Sequence, residues 1–294
     1  MISKISLGAV QFGMDYGIAN KDGKPSFKIA KNIIKKAKTI GISKIDTAQA
    51  YGDSESILGN IGVKEFKITT KIPSIPSDTH DIEAYLENIL QQSFKNLKVN
   101  KIECLLVHDV KQLNNNKYSQ KIYNVLTKYK EKGLIRKIGI SIYDPSELDK
   151  LDNLGIFDVI QSPFNILDRR LKDSGWMSKL KDLGIEIQVR SIFLQGLLLM
   201  ENDDRPSIFD RWDILWNDWD KWLKETKSSP LSACLNFVLN EESIDSIVLG
   251  VDSEDQLQEI CNSITTKFNA FPDNIISNDI NLINPILWSK LEKK

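Results

Sequence analysis

The amino-acid sequence predicts a single (β/α)8 barrel of the TIM type, with a long loop and helix insertion after the seventh strand and a helical tail after the eighth. Two features lead there. Short apolar runs bounded by turn residues alternate eight times with stretches of helical periodicity. No break in composition along the 294 residues marks a linker. Length alone suits either two average domains or one large α/β barrel. An uninterrupted series of eight strand-then-helix units favours the barrel over a doubly wound sheet. Residues 1–294 are therefore expected to form one domain.

The units follow in order. Ile5 to Val10 reads as the first strand, Phe12-Gly13 and Tyr16-Gly17 as turns, and Phe27 to Ile40 as a helix with apolar residues at helical spacing. Lys44 to Thr47 is the second strand, and Ser54 to Gly59 opens its helix. Glu65 to Thr70 is the third strand, followed by a long amphipathic helix over Ile82 to Leu97. Ile102 to Val107 is a buried strand, Tyr118 to Lys132 a helix, and Ile138 to Ser141 the fifth strand. Asp144 caps a short helix over Pro145 to Leu154. Phe157 to Gln161 is the sixth strand, and a helix over Ser174 to Leu183 ends at Gly184. Ile185 to Val189, then Ser246 to Gly250 with a helix over Asp255 to Ile264, complete the series.

Two regions exceed this plan. Leu194 to Lys227 is long for a connection and holds Trp212, Trp216, Trp219 and Trp222, whose spacing predicts one helical face packed on the barrel. A wall of a substrate pocket or an oligomer contact is the sharper alternative. The tail from Phe271 is expected to end in a short helix around Pro285 to Leu291 that covers the barrel.

Lys+Arg 39 against Asp+Glu 40 gives a formal net charge of -1, which argues against nucleic acid or an anionic membrane as partner. Cys104, Cys234 and Cys261 lack any metal-ligand or CxxC spacing and read as reduced, mostly buried thiols. No signal-peptide pattern stands at the N-terminus, and the longest apolar run, Ser191 to Met200, is too short to span a bilayer, so a cytoplasmic protein is expected. The oligomeric state is not legible.

In such a barrel the reactive groups sit where strands end. Asp46 ends the second strand, Tyr51 lies in the loop after it, Lys71 ends the third strand, and His108 ends the fourth. A buried carboxylate such as Asp46 is costly without a cation, and Lys71 is the natural partner. An ammonium beside Tyr51 stabilises the phenolate, and His108 can orient a carbonyl oxygen or share the proton. The set suits protonation of an oxygen as hydride arrives at carbon. His80, in a polar loop, reads as surface.

These four residues, with Asp-Thr-Ala-x-x-Tyr-Gly-x-Ser-Glu-x-x-Leu-Gly running from Asp46 to Gly59, resemble the aldo-keto reductases, and the resemblance extends over essentially the whole barrel. It implies that Tyr51 is the general acid, that Lys71 and Asp46 tune it, and that His108 orients the substrate carbonyl. It also implies that Ser141 and Gln161 hydrogen-bond a nicotinamide carboxamide. Gly250, Asp252, Ser253, Gln256 and Glu259 would hold the adenosine end, where a helix N-terminus receives a 2'-phosphate. No metal is implied.

Three positions depart from the family pattern. The expected cofactor is NADPH, but Asp252 stands where relatives often carry a neutral or basic residue beside the 2'-phosphate and would repel it, so NADH is possible. Ile260 replaces a frequent Asn. Arg190 takes the place of an aromatic residue stacked on the nicotinamide; a guanidinium can also stack flat, or face the substrate. The expected activity is NAD(P)H-dependent reduction of a small-molecule aldehyde or ketone. The alternative is a dinucleotide-binding regulatory or scaffold subunit with little turnover.

Overall fold

The computed structural model describes residues 1–114, 116–151, 154–264 and 270–291, with residues 116 and 117 by backbone alone. Eight parallel strands close into a barrel in sequence order: β1 (Ile5–Gly8), β2 (Lys44–Asp46), β3 (Lys67–Ile72), β4 (Ile102–Val107), β5 (Ile135–Ser141), β6 (Val159–Pro163), β7 (Glu186–Arg190) and β8 (Ser246–Gly250). The helices are α1 (Val10–Gly13), α2 (Phe27–Thr39), α3 (Ser54–Ile61), α4 (Ile82–Leu97), α5 (Asn116–Glu131), α6 (Arg170–Asp173), α7 (Trp176–Asp182), α8 (Asp213–Thr226), α9 (Pro230–Leu239), α10 (Glu254–Asn262), α11 (Ile280–Ile283) and α12 (Trp288–Leu291).

The local chemistry is that of the sequence. Ser26 caps α2 by accepting from the Ile29 N–H, Asp81 caps α4 by accepting from Ala84, and Ser229 caps α9 ahead of Pro230. Helix α2 buries Ala30, Ile33, Ile34 and Ala37, a stripe at helical spacing, against the strands. Strand register aligns Gly8 with both Asp46 and Gly250, Ser141 with Gln161, and Pro163 with Arg190. The pairing thereby gathers residues that lie far apart in sequence at the C-terminal rim.

Several boundaries differ from expectation for identifiable reasons. The first strand stops at Gly8 rather than Val10, because the Ala9 N–H donates to the Asp46 carbonyl (2.8 Å) and the Ala9 carbonyl accepts from Ser54 Oγ (2.7 Å). The chain then turns into α1 beside the loop after β2. A Cβ on Gly13 would come within 1.7 Å of the Tyr51 carbonyl, so only glycine permits that approach. Strand β6 begins at Val159 because the Phe157 N–H closes a tight turn onto Leu154. Pro145–Lys150 is a 3-10 helix with a capping box formed by Asp144 and Glu147. Residues 152 and 153 of the expected helix lie outside the described residues. The expected tail helix over Pro285 to Leu291 is a 3-10 turn over Pro285–Leu287 that runs into α12, and α11 precedes it.

The tryptophans of the insertion are structural, whereas its first residues, Gln195, Gly196, Leu199 and Glu201, line the groove described below. Trp216 and Trp219 of α8 are buried with Leu194, Leu197 and Leu198 from the segment after β7 and with Ile275, Leu282, Ile283 and Trp288 of the tail. Trp212 stands just outside α8, where its indole N–H donates to Asp279 (3.1 Å). The tail therefore packs on the insertion, and no tryptophan reaches the groove described below. Cys104 and Cys234 are buried, Cys261 is half-buried, and all three are free thiols. His80 is exposed. Among the described residues, no three His, Cys, Asp or Glu side chains converge as around a metal ion, and no helix is long and apolar enough to cross a membrane.

Candidate active site

Asp46 and Lys71 face each other inside the mouth of the barrel. Lys71 Nζ donates to Asp46 Oδ1 at 2.5 Å, to the Thr47 carbonyl at 3.0 Å and to the Tyr51 hydroxyl oxygen at 3.4 Å. All three donors of the ammonium are thereby used, which is what allows a lysine only 1% exposed to stay charged. Burial works against that charge, but Asp46 and Tyr51 outweigh it and hold the amine above its ordinary pKa. The other carboxylate oxygen of Asp46 accepts from Gln161 Nε2 at 2.7 Å. The ammonium also lies 5.0 Å from the centre of the Tyr51 ring.

His108 follows β4 directly and meets the Tyr51 ring edge-on, with centroids 5.7 Å apart. Burial, then the charges of Lys71 and Arg190, push its pKa down to about 3. The imidazole is neutral throughout the physiological range. A pH-rate profile of the wild-type protein should therefore show no inflection from His108 between pH 5 and 8; a step near the ordinary histidine value of 6.5 that disappears in His108→Gln would contradict this. For stability the sign is equally definite. An imidazole kept neutral in the folded state contributes stability above pH 6.5, which is lost as the pH falls toward 3.

Tyr51 and Asp46 stand on the wall of a groove of about 440 Å³ that runs from the mouth of the barrel, past Gln11 and Arg190, to Gly250, Asp252, Gln256 and Glu259. That volume lies within the usual range for a small-molecule site. Lys71 and His108 do not line it; each lies against Tyr51, which does. Ser141 and Gln161 do not line it either. Ser141 Oγ pairs with Gln161 Oε1 at 3.4 Å, and Gln161 is fully buried, with its amide also donating to Gln188 at 2.5 Å. The structure thus sets the Gln161 amide against Asp46 and Gln188.

At the far end, Ser253 Oγ caps α10 by accepting from the Gln256 N–H (3.1 Å), while Gln256 Oε1 accepts from the Asp252 N–H (2.7 Å). Ser253 does not face the groove. Asp252 and Gln11 do, and each carries a buried oxygen without a hydrogen-bond partner. Burial and then the Asp22 carboxylate raise the pKa of Asp252. A Cβ on Gly250 would come within 2.3 Å of both polar atoms of the Gln11 amide, so glycine there keeps that amide at the groove wall.

Arg190 is half-buried rather than a surface arginine, and lines the groove. Its Nη2 donates to the Ile142 carbonyl just beyond β5 (3.0 Å), and its guanidinium lies 4.3 Å from the centre of the Tyr143 ring. Sequence reasoning missed Gln11, Tyr143, Gln188 and Asp22. Gln11 carried a signal, a polar residue between Val10 and Phe12 at a strand end. The others matter only through folded proximity.

The barrel, the lysine-supported tyrosine at its mouth and the long groove beside it define an oxidoreductase-type site. Residues 4–273 match the model of the Aldo/keto reductase family, and the chain belongs to that family, whose members are oxidoreductases that use NAD(P)H. Over 278 residues it is 23% identical to an uncharacterised oxidoreductase of Bacillus subtilis, YqkF, covering 88% of this chain and 86% of the relative. It is 25% identical over 292 residues to the NADH-specific methylglyoxal reductase of Escherichia coli, covering 88% of each. Among solved structures it shares the fold of an aldo-keto reductase from Bacillus halodurans in its holo form (TM-score 0.68, 18% identity, 91% of this chain and 88% of that one). A putative aldo-keto reductase from Pseudomonas aeruginosa is similar (TM-score 0.65, 22% identity, 88% of each chain).

Proposed function

We propose that this chain reduces an aldehyde or ketone to the alcohol, with Tyr51 as proton donor. The observation that carries this reading is the buried Lys71–Asp46 pair whose ammonium touches the Tyr51 hydroxyl on the wall of the groove. A reduced nicotinamide held along the groove would supply the hydride. The Tyr51 hydroxyl gives its proton to the carbonyl oxygen as negative charge develops there, and the Lys71 ammonium stabilises the phenolate left behind. Asp46, held in turn by Gln161, keeps the ammonium charged and aimed. His108, neutral at the operating pH, offers an N–H to the same oxygen without competing for the proton.

The residues present fit a dinucleotide. The unpartnered oxygens of Gln11 and Asp252 await donors such as an amide or ribose hydroxyls, and the open backbone at Gly250 lets a ligand lie close. Gln11, Gly250, Asp252, Gln256 and Glu259 would hold it. The sequence alone led to an expectation of NADPH. The charges at the adenosine end instead favour NADH, because Asp252 and Glu259 are acidic, Asp22 stands near Asp252, and Arg190 is the groove's one basic wall residue among the described residues. The NADH specificity carried in the name of the Escherichia coli relative is in line with this. Titrating both cofactors into wild type and Asp252→Ser is the test. The ratio of dissociation constants should favour NADH in wild type and move toward NADPH by roughly tenfold in the variant; an unmoved ratio would mean that no 2'-phosphate approaches Asp252.

A further inference from the structure

Every other buried or half-buried arginine of the described chain has a carboxylate answering it. Arg169 lies 3.8 Å from Asp273, Arg170 lies 2.8 Å from Asp168, and Arg205 lies 2.7 Å from Asp220. Arg190 has none within 4.0 Å among the described residues. Its two hydrogen bonds go to uncharged oxygens, the Ile142 carbonyl and Ser191 Oγ (3.3 Å), and the Tyr143 ring lies against it. A guanidinium carries five N–H donors, so three are left over.

Position gives that spare charge a meaning. Arg190 ends β7 on the groove wall, and its field reaches both His108 and Tyr16, which flank the Tyr51 hydroxyl's side of the site. Lys71, the other cation whose charge acts on His108, is paired with Asp46 at 2.5 Å. The catalytic end of the groove therefore holds one uncompensated positive charge, while its far end is acidic. A half-buried cation without a counter-ion is costly, and a planar fork matches a carboxylate or phosphate with two parallel hydrogen bonds. The Tyr143 ring and the Ile142 carbonyl fix the guanidinium across the mouth of the barrel, so the fork is pre-set before any ligand arrives.

The geometry points to Arg190 as the docking group for an oxyanion on the substrate, so that this protein acts on small carbonyl compounds bearing a carboxylate or phosphate. This rests on the reductase reading above and deepens it by naming the substrate class. The arginine takes no part in proton or hydride transfer. Its contribution is to hold the anionic end of the substrate so that the carbonyl meets Tyr51.

Matched pairs of substrates test it: succinic semialdehyde against butanal for a carboxylate, and glyceraldehyde 3-phosphate against glyceraldehyde for a phosphate, each with NADH and the full chain. Wild type should favour the anionic member of at least one pair by roughly 10- to 100-fold in kcat/KM, and the preferred pair identifies the group. Arg190→Met should lose that preference, mainly through KM, and Arg190→Lys should keep part of it because the charge remains without the fork. Calorimetric titration of succinate and inorganic phosphate into the same proteins gives a readout independent of turnover, with binding expected in wild type and lost in Arg190→Met. Equal kcat/KM for charged and neutral members, or a preference that survives Arg190→Met, would overturn the proposal while leaving the reductase reading intact. So would a loss of NADH affinity in Arg190→Met with the preference unchanged, since the arginine would then serve the cofactor. Arginine-dependent binding of succinate or phosphate in a protein that reduces none of the four aldehydes would keep the anion site and overturn the reductase reading.

Discussion

Tyr51→Phe is expected to lower turnover by at least roughly a hundredfold, the usual scale for losing a general acid. The substitution removes only the hydroxyl oxygen that accepts from Lys71 at 3.4 Å. The ring stays, with its edge contact to His108 and its place on the groove wall, so cofactor affinity should change little. Single-turnover oxidation of NADH by an aldehyde, with cofactor binding measured separately, distinguishes the two effects. A Phe variant that reduces aldehyde at the wild-type rate would remove Tyr51 from the chemistry.

Lys71→Met is expected to cost both activity and stability. The thioether fills a similar volume but leaves Asp46, which is 3% exposed, with Gln161 as its remaining side-chain donor. Breaking a buried pair from one side typically costs about 3–5 kcal/mol, because the surviving charge has lost its compensation. Asp46→Asn should be milder for folding, since an amide oxygen can still accept from Lys71 and the Thr47 carbonyl still accepts a hydrogen bond from the ammonium. Denaturant midpoints should fall in the order wild type, Asp46→Asn, Lys71→Met, and both variants should turn over slowly. The pair also sets an alkaline limit. A lysine held above its unfolded pKa gives stability that is fully present below the ordinary value of 10.5 and is lost as pH rises through the higher folded value.

Much of this site is readable along the chain because a parallel barrel turns strand order into geometry. Asp46, His108, Ser141, Arg190 and Gly250 each stand at or just beyond a strand end, and strand ends share one rim. What the linear pattern does not carry is direction. Val10 continues the apolar run of β1, yet the chain turns because Ala9 is tied to Asp46 and Ser54, contacts that exist only after folding. Gln161 stands at the expected height, but Asp46 and Gln188 draw its amide inward and away from the groove. Arg190 reaches across β6 to Ile142 and Tyr143, a course no local sequence signal announces. Asp22 comes near Asp252 from the opposite end of the chain, and with it the charge balance that bears on cofactor choice. The tryptophan spacing, by contrast, was sufficient to predict a packed helix face for Trp216 and Trp219, because periodicity reports burial directly.

The most direct measurement of the central claim is deuterium transfer from NADH labelled at the transferring carbon to an aldehyde, followed in single turnovers with wild type and Tyr51→Phe. Transfer of the label to the carbinol carbon by wild type, with the rate cut at least roughly a hundredfold in the variant at unchanged NADH affinity, is the predicted result. NADH that binds in the groove yet passes its label to no aldehyde, charged or neutral, would contradict it and leave a dinucleotide-binding protein without reductase turnover.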